Sequence, residues 1–263
     1  QDSDVSHVSG DIAPIRDIET IDTELALADL ETVGRRREKT SRMLKSGDKK
    51  YKQELEALEY IEQILESGES LRQLRAGDEL SRELIELIEE LELLSAKPVL
   101  YIANVDEGDL AKADNQAVAA IREYAAREGA EVVRVSAAIE SDIAELDPDE
   151  ARLFLEELGL EESGLKRVIK AGYSLLGLIT FFTVAGGNEV RASTIRRGAT
   201  APEAAGRIHS DMQQGFIRAE VISFEELIQA GSIARARDRG LVRLEGKDYV
   251  VKDGDVCYFR FNV

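Results

Sequence analysis

The sequence has no tryptophan, one cysteine, two histidines and four prolines in 263 residues. A single cysteine, Cys257, cannot form an internal disulfide, so a reducing, cytoplasmic setting is expected. Cys257 lies in the apolar run VCYFRF, where a buried strand thiol is expected in preference to a nucleophile. So few histidines and cysteines argue against an all-protein zinc site. His7 is uninformative, and His209, in GRIHSDM, reads as a hydrogen-bonded structural residue more than as a catalytic one. No run approaches the roughly 18 to 20 apolar residues of a membrane helix, and the opening Gln1-Asp2-Ser3-Asp4 carries no secretory signal pattern. Also missing are G-x-x-x-x-G-K-[ST] and Asp-x-x-Gly, the residues that cradle phosphates and position Mg²⁺ in P-loop enzymes.

What is present is acid. Fifty-two Asp and Glu face 34 Lys and Arg, a net charge of -18. The excess lies entirely before Leu178: residues 1–177 hold 41 acids against 22 bases, and the remainder holds 11 against 12. The front is therefore not read as a nucleic-acid surface, while the back is near neutral and open to a basic face. The change of texture places a domain boundary near Leu178.

Ile18, Ile21, Leu25 and Ala28 recur at helical spacing and predict an amphipathic helix over about 17–45. KSGDKK interrupts the pattern, which Leu55, Leu58, Ile61 and Leu65 resume to about Ser67. Two such helices joined by a short turn make an antiparallel hairpin, a structural arm or a partner-docking arm. Asp78 is the expected cap of a third helix carrying Leu80, Leu84, Leu87, Ile88 and Leu91. Then come a strand before Asn104, a helix over about 115–128 and a second strand, AEVVRVSA, in an order that implies parallel β-α-β construction. Pro148 opens another helix, and Ser163 to Leu176 reads as one more. Beyond Leu178, LITFFTV and EVRASTI flank Gly186-Gly187-Asn188, a hairpin signal. A helix after Pro202, the strand GFIRAEVIS, a helix from Ser223 and strands near LVRL, DYVV and VCYFRF complete a small mixed sheet around one principal helix.

The strand KPVLYIANVDE ends in Asn104, Val105 and, three positions after the Asn, Glu107. Guanine-specific proteins use Asn-Lys-x-Asp at such a strand end. An amide offers a donor and an acceptor in one plane, and the Asp accepts from guanine N1–H and its 2-amino group. Here Val105 replaces the Lys, and Glu107, one methylene longer, overshoots that edge. The loop suits adenine better than guanine, unless it is a plain surface turn. Ser136 and Ala137, one β-α unit later, stand where a Ser-Ala loop supports the base.

These stretches, with RDIETIDTELALADLETV, LGLITFFT, RRGATAPEAAGRIHSDMQQGFIRAEVISFEEL and KDYVVKDGDVCYFRFN, make the chain resemble the YchF group of Obg-related P-loop NTPases over nearly its whole length. The resemblance implies a partial P-loop α/β parallel sheet, an inserted helical coiled-coil arm and a C-terminal β-grasp (TGS) domain. The corresponding spans are 1–16 and 71–177 for the G domain, 17–70 for the arm and 178–263 for the TGS domain. It also implies a parent that binds and hydrolyses ATP with Mg²⁺ in preference to GTP. Asn104, the backbone around Val105, Glu107, Ser136 and Ala137 would form the base site. The phosphate loop and Mg²⁺ ligands are expected in a preceding segment, so no catalytic residue is assigned. ATP, ADP and the ribosome or its RNA are the expected partners, with neither membrane nor DNA among them. Arg191, Arg196, Arg197, Arg207 and Arg218 are candidate RNA contacts, against a solvated, ion-paired face. The rival reading is a non-catalytic adaptor with a vestigial G domain.

Overall fold

Pro14, at the first turn where its missing N–H costs nothing, opens helix α1 (Pro14–Met43). Asp48 accepts from Lys50 N at 2.9 Å and starts α2 (Lys49–Ser67), which Gly68 ends in the left-handed region at φ 77°. The two helices run antiparallel: Thr40 and Arg36 of α1 meet Glu54 of α2, and Arg37 meets Glu62. This structure is a computed structural model that describes residues 13–44, 48–185 and 189–262, so Gly47 of the intervening turn lies outside the described residues. The contacts divide the chain into two units, Gln1–Ala171 and Gly172–Val263.

In the first unit, Val33, Leu58 and Ile61 of the hairpin share one apolar cluster with Leu71, Leu87, Ile88 and Leu93. Leu71 belongs to a short helix α3 (Leu71–Ala76) that periodicity did not reveal, and Leu87 and Ile88 to α4 (Arg82–Glu90). The cap of α4 is Ser81, accepting from Leu84 N at 3.3 Å, and not Asp78. Asp78 is held at φ 57° in the turn that closes α3, where Glu79 N bonds Leu74 O, so the next side-chain oxygen takes the capping role.

The chain continues through β1 (Leu100–Asn104), the single turn α5 (Glu107–Leu110), α6 (Gln116–Arg127) and β2 (Glu131–Val135), then α7 (Ala137–Glu145), α8 (Pro148–Glu157) and α9 (Gly164–Leu175). Strands β1 and β2 are parallel, in register from Leu100 opposite Glu131 to Asn104 opposite Val135. Ala103, Val105, Leu110, Val118, Val132 and Ile139 form the core beneath them. The other edge of β1 pairs with nothing among the described residues, and Ile102 is 53% exposed there.

A buried ionic network joins the hairpin to this core. Arg72 donates to the fully buried Glu128 at 3.2 Å, to Ser95 O at 3.1 Å and to Asp22 of α1. Tyr101 of β1 donates to Glu128 at 2.8 Å, and Tyr124 donates to Asp22 at 3.0 Å. Burial, then the carboxylates they bond, push both phenols above their ordinary pKa. Burial alone would lower the Arg72 pKa; its bond to Asp22 and the charges of Glu128 and Asp22 raise it instead.

The second unit contains β3 (Leu178–Ala185), β4 (Glu189–Arg196), α10 (Ala201–Ile208), α11 (Ser210–Gln214), β5 (Phe216–Ser223), α12 (Phe224–Ala230), α13 (Ile233–Asp238), β6 (Arg243–Glu245) and β7 (Asp255–Phe261). They form a mixed sheet in the order β4-β3-β7-β5-β6, with β3 parallel to β7 and the other pairs antiparallel. Ala201, Ala204 and Ala205 let α10 approach Phe181, Ile195, Val221 and Phe259 on one face. On the other face, α12 and α13 cover Ile222 and Val256 through Ala230 and Ala236. Strands β3 and β4 pair from Leu178 opposite Arg196 to Ala185 opposite Glu189, and the Gly186-Gly187-Asn188 turn lies outside the described residues. DYVV is not a strand. Its backbone turns to the loop before α10 instead, with Val251 N on Ala199 O, Ala201 N on Tyr249 O, and one bridge from Val250 to Thr200.

Cys257 is 1% exposed in this core, where burial and then the Asp255 charge push its thiol up to about 12. His209 is exposed and caps α11, its Nδ1 accepting from Asp211 N at 3.2 Å. No described helix is long and apolar enough to cross a membrane.

Candidate functional site

Parallel strands carry both their C-terminal ends to one side of the sheet, the usual place for a ligand in α/β folds. Asn104 ends β1 and Val135, its register partner, ends β2. Val105 N donates to Val135 O at 2.8 Å, extending the pairing by one bond. Ala137 N then donates to Asn104 Oδ1 at 3.0 Å. Because a peptide N–H only donates, the atom facing it must be the amide oxygen, and the Asn104 NH₂ is turned away as a donor. Asn104 and Ala137 are exposed, so that donor is accessible. It matches a purine N7, an acceptor on adenine and guanine alike. Such a donor does not by itself choose between the two.

Val105 offers only backbone to such a base, since its side chain packs in the core with Ala103, Leu110 and Val118. Glu107 begins the α5 turn, exposed and without a side-chain hydrogen bond among the described residues. Buried Leu110 anchors that turn. From β2, Arg134 holds the following loop, donating to Lys112 O at 2.8 Å and pairing with Asp114 at 3.2 Å. Ser136 is buried at the N-cap position of α7 but makes no side-chain capping bond.

Two supporting residues were not foreseen. Glu140 of α7 accepts from Gly164 N at 2.6 Å and from Leu165 N at 3.0 Å, fastening the start of α9 beside β2. Gly164 allows that approach: a Cβ there would sit 2.9 Å from Val135 Cγ1 and 2.9 Å from Glu140 Oε1. Neither stands in a recognisable local motif, because the contacts join segments 24 or more residues apart.

Of the arginines singled out in the second unit, Arg196 and Arg218 lie at opposite ends of the sheet. Arg191 pairs with Glu189 at 2.9 Å. Arg196 lies opposite Leu178 at the start of β3, whereas Arg218 lies opposite Arg260, past the described end of β3 and about 25 Å away along the strands. Arg196, Arg197, Arg207 and Arg218 have no ion pair among the described residues, and the sheet sets Arg218 far from Arg196.

A parallel β-α-β layer with an Asn amide oriented at its strand ends, a helical hairpin rooted in that layer, and a separate mixed-sheet unit define an α/β protein of the GTPase-like class. The chain is 52% identical over all 263 residues to Ribosome-binding ATPase YchF of Bacillus subtilis, covering 70% of that protein. It is 51% identical to the Escherichia coli O157:H7 protein of the same name, again over 70% of it. Obg-like ATPase 1 of Oryza sativa is 39% identical, with 66% of its length covered. The structure of the Schizosaccharomyces pombe YchF GTPase superposes with a TM-score of 0.82 at 32% identity, spanning 99% of this chain and 69% of that one. A GTP-binding protein from Pyrococcus horikoshii, 19% identical with a TM-score of 0.57, covers 95% of this chain and is covered over 72% of its own; it shares the fold alone. The family model YchF-GTPase_C, described as "Protein of unknown function (DUF933)", matches residues 178–262. The chain belongs to the YchF family.

Proposed function

We propose that the protein is a nucleotide-dependent switch that takes ATP in preference to GTP and docks on the ribosome. The observation that carries the base site is the Ala137–Asn104 hydrogen bond, which holds an accessible amide donor at the joint end of two parallel strands. In this reading Asn104 NH₂ donates to purine N7, and the backbone around Val105 accepts from the adenine 6-amino group. Ser136 and Ala137 flank the opposite side of the ring. Glu107, unbound at the start of α5, replaces the shorter Asp that would accept from guanine N1–H and its 2-amino group. The relatives named ribosome-binding ATPases support both the nucleotide and the ribosome.

The α1–α2 hairpin is assigned as a coiled-coil docking arm and the unit from Leu178 as a TGS domain of β-grasp type. The mixed sheet packed on α10 and the family match at 178–262 support the latter. Residues of this chain fit the adenine end of ATP. For its Mg²⁺, the sequence contains no G-x-x-x-x-G-K-[ST] phosphate loop, and among the described residues no group of three or more His, Cys, Asp or Glu is arranged to hold a metal. No Mg²⁺ ligand or catalytic residue is therefore assigned here, and no hydrolytic step is derived.

Calorimetric titration with ATP and with GTP tests the reading. Tighter ATP binding, weakened by Asn104→Ala, is expected. Tighter GTP binding would overturn the adenine assignment, and binding of neither would favour the adaptor.

A further inference from the structure

The acidic average of the first unit conceals a basic end. Positions 35–44 and 48–52 hold eight Lys and Arg against only Glu38 and Asp48. These residues meet at one place, the last turns of α1 and the first of α2, because Thr40 stands beside Glu54 in the antiparallel pair. Arg36 and Arg37 are consumed by the hairpin itself, pairing with Glu54, Glu90 and Glu62. Arg42 pairs only loosely with Glu38, at 3.5 Å between exposed side chains. Arg35, Lys39, Lys49 and Lys50 are exposed and make no ion pair among the described residues. Arg35, Lys39 and Arg42 line one shallow depression of about 280 Å³ with Glu38 and Met43.

Helix physics does not account for this arrangement. Beyond the Asp48 cap, the first turn of α2 contains no acid, although a helix N-terminus favours negative charge, and it carries Lys49 and Lys50; Lys52, one turn in, pairs with Glu56. The lysines oppose the dipole of their own helix. Met43 also lies about 10 Å of helical rise beyond Arg36, the last residue tied to α4. Of the cations here, Arg42 stands about 9 Å of rise past Arg36 and Lys39 about 4.5 Å, while Arg35 is level with it, so screening separates only the outer part of this end from the acidic body. The body repels a polyanion while the tip attracts it, and the protein would be oriented tip-first.

We propose that the end of the α1–α2 hairpin is an RNA-docking surface that grips backbone phosphates through Arg35, Lys39, Lys49 and Lys50. The inference rests on the reading of the hairpin as a docking arm and names what the arm touches. Phosphate contacts of this kind position a partner without reading its sequence. A lipid surface is a poorer match, since Met43 is the one large apolar side chain exposed at the tip among the described residues.

The test is fluorescence anisotropy with a labelled 20-base-pair RNA duplex across 50 to 200 mM salt. Four phosphate contacts predict a loss of affinity of about 50- to 150-fold over that range. Replacing Arg35, Lys39, Lys49 and Lys50 together by Gln should abolish most binding at 50 mM and flatten the log–log slope by about 3. Gln keeps helix propensity, and losing the first-turn lysines should leave the melting temperature unchanged or raised. A matched variant, with Arg82, Lys97, Arg127 and Arg152 changed to Gln, removes equal charge elsewhere on the unit and should keep the slope. The inference is overturned if the tip variant binds RNA with the wild-type slope, if the matched variant loses as much, or if anionic vesicles displace the RNA as well as unlabelled duplex does. Co-sedimentation with ribosomes, run in parallel, separates the two readings. Wild type and tip variant pelleting equally sinks the tip but leaves ribosome docking intact; RNA binding without pelleting supports the tip and sinks docking.

Discussion

Asn104 and Ala137 are 33 residues apart in sequence and joined by a 3.0 Å hydrogen bond across the ends of two parallel strands. The bond has one removable partner. Ala137 is the first residue of α7, where proline is tolerated, and Ser136 before it is already extended at φ −118°, ψ 113°. Ala137→Pro should delete the N–H, free the Asn104 amide to rotate and leave helix content unchanged. Purine-nucleotide affinity should fall about 5- to 10-fold, the worth of one positioned hydrogen bond. Unchanged affinity by calorimetry, with an unchanged circular dichroism spectrum, would remove Asn104 from the site.

Gly164 presses on Val135, the residue paired with Asn104. Gly164→Ala should cost about 1–3 kcal/mol, since the Val135 methyl has no flexible end to swing aside. Urea denaturation followed by circular dichroism measures the loss. A variant as stable as wild type would show that α9 and β2 are not held so closely.

Arg72 and Tyr101 touch the same carboxylate with different stakes. Arg72→Met leaves the buried Glu128 and the half-buried Asp22 charged and without their cation, and should destabilise the first unit by about 3–5 kcal/mol. Tyr101→Phe leaves Glu128 bonded to Arg72 and Ser70 and should cost only about 0.5–1.5 kcal/mol. Equal losses in denaturant midpoint would mean that Arg72 is not the centre of the network.

Cys257 predicts an alkaline limit for the second unit. Its folded pKa is raised from 9.0 to about 12, so the folded state keeps the proton that the unfolded state releases. The contribution is complete below pH 9 and drains away as pH climbs to about 12. Cys257→Ala should lose some stability at pH 7 and show a shallower decline above pH 9. The native thiol should resist a disulfide reagent at pH 8 and react fully in urea; rapid native reaction would refute its burial.

Local patterns exposed much of this architecture. Pro148 announced α8 because a proline at the first helical position acts within one turn, and the apolar run before Asn104 announced β1. The cap of α4 was misplaced because Asp78 and Ser81 are both competent, and only the turn closing α3 decides between them. DYVV has strand composition, but its backbone partners are Ala199, Thr200 and Ala201, roughly fifty residues away. The basic hairpin end was legible residue by residue and hidden by averaging charge over 177 positions.

By itself, the order of residues determined the alternation of strands and helices, the candidate loop at Asn104, the charge divide near Leu178 and the family resemblance. These depend on neighbours within a few turns or on chemistry intrinsic to a side chain. Tertiary structure alone decided that Asn104 shows its NH₂ outward, that Val105 contributes only backbone, that Gly164 must be small and that Arg196 and Arg218 stand apart. Each depends on which distant backbone or side-chain group arrives beside it, and periodicity carries no record of that meeting.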